Sequence, residues 1–186
     1  MPTLKLIGLS GNITNPSKTR SLVQTAVALA ANRLGATAEV IEINDFGDAL
    51  GRARRLSDLD AAGQALIARI IEADALVVAT PIYKASYPGL FKHLIDLLDP
   101  LSLIGKPILI AAAGGGEKHA LAVEHQLRPL FAFFEAHSLP TAVHVSDKDF
   151  ADGVLTAPAA LTRLDRAVSQ FDLHFPQALR PAQAAE

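Results

Sequence analysis

Residues 10–21 bring together side chains able to hold an anion. Five hydroxyls, on Ser10, Thr14, Ser17, Thr19 and Ser21, are interleaved with Lys18 and Arg20. The run lies between an apolar strand-like segment, residues 4–9, and a helix-like segment with apolar Leu22, Val23, Ala26, Val27, Ala30 and Leu34. A strand feeding such a loop into a helix start leaves backbone N–H groups without helical acceptors, at the positive end of the helix dipole. Hydroxyl donors and two cations reinforce that site. The expected chemistry is capture of a phosphate. Two nucleotide motifs fail the residues. A Walker A loop needs Gly directly before Lys-Ser/Thr, but Ser17 precedes Lys18-Thr19 and the first glycine would fall on Asn12. A dinucleotide fingerprint needs three spaced glycines, but none follows Gly8 and Gly11 at the right distance. A terminal phosphomonoester, with three oxygens to satisfy, suits the longer hydroxyl-lined loop better than a pyrophosphate. A Ser/Thr-rich turn that only caps a helix is the competing reading.

Two more loops leave apolar runs with unusual chemistry. One lies within TPIYKASYPGLFKHLID, residues 80–96. The other is Gly114-Gly115-Gly116, followed by Glu117 and His119. Glycines there admit close backbone approach to a ligand, or else only a flexible turn.

The elements that must position these loops alternate. Strand-like runs are expected at residues 4–9, 37–43, 73–80, 106–113 and 140–145. Helix-like runs are expected from residue 22 to Gly35, and at 57–72, 89–98, 119–137 and 156–175. Residues 44–56, polar with two glycines and three arginines, read as a mobile surface loop, and 176–186 as a poorly ordered Ala/Pro/Gln tail. Continuous apolar strands such as ADALVVAT and KPILIAAA indicate burial on both faces. The alternation argues for one domain over residues 1–175, a parallel sheet covered on both sides. Ligands in such sheets bind beyond the C-terminal strand ends, which is where loops 10–21, 81–88 and 114–119 fall.

Composition narrows the function classes. With 186 residues, half of them apolar, the chain can bury a real core. A net charge of −2 offers no general attraction to nucleic acid or an anionic membrane. No cysteine is present, which excludes thiolate catalysis, disulfides and cysteine-held metals, and fits a cytoplasmic protein. No apolar run reaches the length of a membrane span, and no signal-peptide layout opens the chain. His93, His137, His144 and His174 lack metal-ligand spacing and read as structural.

The segment T-P-x-Y-x-x-S-x-P-G-x-x-K-x-x-I-D-x-L, running on from Thr80, resembles the NADPH-dependent FMN reductase family. Ser10-Gly11 with residues 17–21, and the glycine run with His119, are similar to that family's other flavin loops. The resemblance spans about residues 3–170. It implies a flavodoxin-like three-layer α/β sandwich, with a five-stranded parallel sheet in the order 2-1-3-4-5. It implies that Ser10, Ser17, Thr19, Arg20 and Ser21 hold the FMN phosphate. Pro81, Ile82, Tyr83 and Lys84 would border the isoalloxazine ring, with backbone N–H groups near its N1/O2 edge. Gly114, Gly115 and Gly116 would approach its other edge. The implied reaction moves hydride from NADPH to FMN, so no catalytic acid, base or nucleophile is demanded. The 2′-phosphate of NADPH would need a cation; Arg52, Arg54 and Arg55 are candidates, but each reads first as part of a solvated basic loop.

Within the family the chain is similar to the FMN reductases of two-component alkanesulfonate or methanesulfonate monooxygenases. That implies a partner monooxygenase receiving FMNH2, and a homodimer or homotetramer. It also places a π-helical bulge, often made by an inserted Tyr, at His125. Leu130, Phe131, Phe133 and Phe134 would serve both core and subunit contact. Tyr83 and Tyr87 are the only tyrosines and Trp is absent, which suits a flavin stacked on one face and able to leave. The alternatives are a quinone or azo reductase that retains its FMN, and a flavodoxin-like electron carrier. Carriers are usually strongly acidic, unlike this chain.

Overall fold

The computed structural model describes residues 3–176. The tail expected from residue 176 therefore lies, but for Pro176, outside the described residues. The central sheet runs β2 (Thr37–Glu42), β1 (Lys5–Ser10), β3 (Ala75–Pro81), β4 (Pro107–Gly114), all parallel. The edge beyond β4 is shared by two short parallel strands, β5 (His137–Ser138) against its start and β6 (Val143–Ser146) against its end. This is the expected 2-1-3-4-5 order, with the fifth position split. The split has a local cause. Leu139 N–H still reaches Ile108 O at 2.8 Å, but the next N–H facing β4, that of Thr141, turns to Gln170 Oε1 at 2.9 Å, and pairing resumes only at Val143. A small hairpin, β7 (Phe150–Ala151) and β8 (Val154–Leu155), follows.

Helices cover both faces. On one side, Leu22, Val23, Ala26, Val27 and Ala30 of α1 (Lys18–Leu34) pack with Leu164, Ala167, Val168 of α6 (Pro158–Ser169) and with Phe171 over the sheet. On the other side lie α2 (Gly47–Arg52), α3 (Ala61–Glu72), α4 (Gly89–Asp96) and α5 (Arg128–Ala132). Phe91, Phe131 and Leu94 are among the buried side chains there. The sequence supplies the stops. Ser17 Oγ accepts the Arg20 N–H at 3.2 Å, and Gly35 at φ 61° closes α1. Asp60 Oδ1 caps α3 through the Gly63 N–H at 2.7 Å. At the other end of α3, Lys106 Nζ binds the carbonyls of Ile71 and Ala73. Burial pushes that ammonium's pKa below its ordinary value, against the opposing pull of Asp74.

Residues 44–56 are not the open loop their polarity suggests. Ile43–Phe46 forms a tight turn leading into α2, and Phe46, Leu50 and Ala53 are buried. The spacing Ile43, Phe46, Leu50, Ala53 is a helical apolar stripe masked by Gly47, Gly51 and the arginines. The long helix expected over 119–137 is shorter and irregular. A short turn at Glu117–His119 precedes a π-helical turn, Val123–Leu127, and α5 ends at Ala132. The Arg128 N–H reaches back five residues to Val123 O, so the irregularity expected at His125 is present. The apolar stripe divides. Phe131 and Phe134 are buried, whereas Phe133 is 67% exposed.

Candidate functional site

The C-terminal ends of β1, β3, β4 and β6 open onto one cleft of ≈ 350 Å³. Its size falls within the usual range of small-molecule sites, about 300–1,000 Å³. Thr14, Pro16, Ser17, Lys18 and Thr19 form one wall, and Pro81, Ile82 and Tyr83 a second. Ala113, Gly114 and Gly115 form a third, and Ser146, Asp147 and Phe150 a fourth. Of the twelve residues singled out in the sequence, Ser17, Thr19, Pro81, Ile82, Tyr83, Gly114 and Gly115 meet here. Gly116 lines an adjoining hollow with Gly115, Glu117, Ser146, Asp147 and Lys148.

Four expected positions stand apart from the cleft lining. Ser10 is fully buried, and its hydroxyl donates to Asn12 Oδ1 at 2.5 Å. Arg20 points to the side, its Nε 3.0 Å from Glu42 Oε1. Ser21 sits a turn into the helix, where its carbonyl accepts the Thr25 hydroxyl. Lys84 occupies the exposed tip of its turn. The fourth wall was missed altogether. The rule that ligands gather at strand C-termini applies to β6 as much as to β1, and Ser146-Asp147 is the polar pair that leaves it.

The first wall is braced from beneath. Asn12 Nδ2 donates to Glu42 Oε2 at 2.9 Å and to Thr14 O at 3.2 Å. Asn12 and Glu42 are both buried, so Ser10, Asn12, Glu42 and Arg20 form one polar chain joining the loop to the end of β2. Above the brace lies the first turn of α1, whose N–H groups have no intrahelical acceptors. Ser17 Oγ takes that of Arg20. Lys18 is the cation on the cleft wall.

The second wall departs from the expected donor edge. The Ile82 N–H is bonded to Ala113 O at 2.9 Å and the Tyr83 N–H to Ser86 O at 2.8 Å, while Pro81 has none. Those groups are occupied holding the turn. Tyr83 and Ser86 pair across Lys84 at φ 52° and Ala85 at φ 70°. Positive φ at both central residues marks a type I′ turn, built here without Gly or Asn. Ala85→Gly should therefore raise stability by about 0.5–1 kcal/mol, since a left-handed non-glycine residue costs roughly 1–2 kcal/mol and glycine's own entropy returns part of it. The check is thermal unfolding, with a rise of roughly 2–4 °C expected per kcal/mol. An unchanged or lower midpoint would contradict it. Ser86 Oγ also donates to Gln126 Oε1 at 3.1 Å, tying this turn to the π-helical turn.

The glycines differ among themselves. A Cβ on Gly114 would stand 3.0 Å from His119 Cβ and 3.1 Å from His144 Nε2, so a side chain there would need both histidines to give way by a few tenths of an ångström. Gly115 and Gly116 face open space, with Asp147 Oδ2 at 4.0 Å the nearest atom to a Gly115 Cβ. Those two leave room for a ligand. Glu117 pairs with Lys148, which lowers the carboxyl's pKa through their hydrogen bond and attraction. Arg54 and Arg55 donate backbone N–H groups to Asp58, and Arg52 lies on α2; none lines the cleft.

His144, behind Gly114, has its Nε2 buried without a partner. Burial, then neighbouring His119, pushes its pKa down, with Asp149 opposing. His174 is lowered likewise, by burial and then His137. Both side chains therefore take up a proton less readily when folded than when unfolded. As pH falls below about 6.5, the unfolded chain takes up protons that the folded chain refuses. This part of the stability is present above that pH and is lost on acidification. Denaturant midpoints should drop between about pH 7.5 and about 5.5, and the slope should flatten in His144→Phe/His174→Phe. An unaltered slope in that variant would remove these two residues as its source.

Among the described residues no group of His, Asp and Glu is placed to hold a metal ion, and no helix is long and apolar enough to cross a membrane. A second cleft, ≈ 330 Å³, lies at the opposite sheet end beside Lys5, Thr37 and Glu39, away from every strand C-terminus. Comparison with known proteins places the whole chain among flavin reductases. The chain is 42% identical over 183 residues to the NADH-dependent FMN reductase SfnF of Pseudomonas fluorescens, covering 96% of this chain and 98% of that one. It is 45% identical over 146 residues to an FMN reductase (NADPH) of Pseudomonas aeruginosa, 78% of each chain. The apo NADH:FMN oxidoreductase EMOB superposes with a TM-score of 0.83 at 29% identity, over 98% of this chain and 97% of that one. The sequence profile described as NADPH-dependent FMN reductase matches residues 4–150, which include all four cleft walls, and the chain belongs to that family.

Proposed function

We propose that this oxidoreductase binds FMN in the four-walled cleft, reduces it with NADH or NADPH, and releases it to a flavin-dependent monooxygenase. The observation that carries the reading is the meeting of the α1 N-terminus, the residue 81–83 turn and Gly114–Gly115 in one cleft. The residues fit the ligand's two ends. First-turn N–H groups, Ser17 and Thr19 hydroxyls and Lys18 would hold a phosphomonoester. Arg20 and Ser10 would serve that end from beneath, through the Glu42 and Asn12 brace, and Ser21 from the helix behind it. Pro81, Ile82 and Tyr83 would border the ring, with Lys84 at its margin and Gly114, Gly115 and Gly116 along the other edge. The flavin, when bound, supplies the hydride-accepting chemistry. What the chain supplies is position and a partly dry surface.

The names of the relatives divide between NADH and NADPH, so both nicotinamides belong in the reading. Resemblance to reductases of sulfonate monooxygenase systems supports the partner. Leu121 and Phe133, both exposed near the π-helical turn, support self-association as a dimer or tetramer. The test is steady-state oxidation of NADH and of NADPH by the purified protein with added FMN, FAD or riboflavin. FMN-dependent oxidation of at least one nicotinamide is expected. Oxidation of neither would end the reading, and retained flavin with quinone preferred over free FMN would replace it with a quinone reductase.

A further inference from the structure

The cleft carries an acid where an anion is expected. Asp147, just beyond β6, lines the same cleft as Lys18, and its Oδ1 lies 2.7 Å from Lys18 Nζ. The neighbouring charges are otherwise engaged. Lys148 pairs with Glu117, and Asp149 Oδ2 accepts the Ser146 N–H at 2.7 Å and the Ser146 hydroxyl at 3.0 Å. Asp147 has Lys18 as its ion-pair partner among the described residues, and its other oxygen faces Gly115. The pair is solvent-accessible, with side-chain exposures of 43% and 66%, so water can replace either partner readily.

We propose that Asp147 sets the affinity of the cleft for phosphorylated ligands, by occupying Lys18 when the cleft is empty and repelling the phosphate when it is filled. The inference rests on the reading of the α1 N-terminus as a phosphomonoester site. Such a group carries a charge of about −1.5 to −2 at pH 7. It must take Lys18 from a carboxylate that stays beside it. An anion site with its own competing carboxylate binds more weakly than its donors allow. That weakness is useful where the flavin is a substrate that has to leave after reduction. On the same wall, Lys18 Nζ also lies 5.8 Å from the Phe150 ring centroid.

The test compares FMN with riboflavin, which has the ring and no phosphate, by fluorescence titration of the full chain. Asp147→Asn keeps the side-chain shape and removes the charge. Its FMN dissociation constant should fall about three- to tenfold, with that for riboflavin unmoved. Asp147→Glu should bind FMN as the parent does. In a Lys18→Met background the gain from Asp147→Asn should shrink, because only the repulsion remains to be relieved. Unchanged or weaker FMN binding by Asp147→Asn would overturn the proposal, as would equal tightening for both flavins. A parent protein binding FMN no better than riboflavin would overturn the phosphate-site reading itself, and the proposal with it.

Discussion

Gly8→Ala should cost about 2 kcal/mol of stability and most of the protein's affinity for FMN. Gly8 lies in β1, directly under α1. A Cβ there would stand 2.6 Å from both Val23 Cγ1 and Val27 Cγ2, with Val40 Cγ2 at 3.3 Å. Both valines are buried and belong to the helix whose first turn forms one cleft wall. β-Branched side chains in a helix have essentially one rotamer, so they cannot turn away. The added carbon must lift α1 from the sheet, and the lift displaces the N–H groups, Ser17, Lys18 and Thr19 together. The effect on binding therefore exceeds what a remote cavity or clash of the same energy would give. Thermal unfolding and FMN titration read the two parts separately. Gly8→Ala/Val27→Ala should recover part of both by making room. A variant that melts and binds like the parent would show that α1 is not set by this contact.

Glu42→Ala should be next in size. Glu42 is 7% exposed and receives both the Asn12 amide and the Arg20 guanidinium. Removing one member of a buried pair costs roughly 3–5 kcal/mol when the other stays buried. Arg20 is half in solvent and can rehydrate, which brings the expected loss down to about 2 kcal/mol, chiefly from the stranded Asn12 amide. FMN affinity should fall with it, because residues 12–14 lose their tether to β2. Glu42→Gln retains an acceptor for Asn12 and should lose less than half as much. Denaturant unfolding checks the stability, and flavin titration the binding. If Glu42→Ala left both unchanged, the polar chain beneath the loop would have no positioning role.

Much of this architecture was legible because both-face burial writes itself as unbroken apolar runs. ADALVVAT and KPILIAAA stand in β3 and β4, and the 2-1-3-4-5 order follows the family resemblance. Residues 44–56 were misread because charge and glycine obscured a stripe of only four apolar positions. In the cleft, residue type located the walls but not which way each side chain faces. Ser10 and Ser17 look alike in sequence, yet Ser10 ends a strand whose residues are buried and Ser17 begins an exposed helix turn. Arg20 rather than Lys18 was expected at the phosphate, yet Glu42, more than twenty positions onward, claims Arg20 and leaves Lys18 on the cleft wall. The strand before Ser146–Asp147 was legible as residues 140–145, but its exit carries no glycine run or hydroxyl cluster to single it out, so the wall there went unread.

The break between β5 and β6 also governs how copies of the chain can meet. An edge strand with a continuous row of free N–H and C=O groups invites another strand to extend the sheet. Here the row beyond β4 breaks between Ser138 and Val143, across a residue that has no hydrogen to share. An incoming strand would find two short lengths and a gap, and could keep step with only one of them. Strand addition at this side is therefore disfavoured by Pro140 and by the shortness of the two lengths.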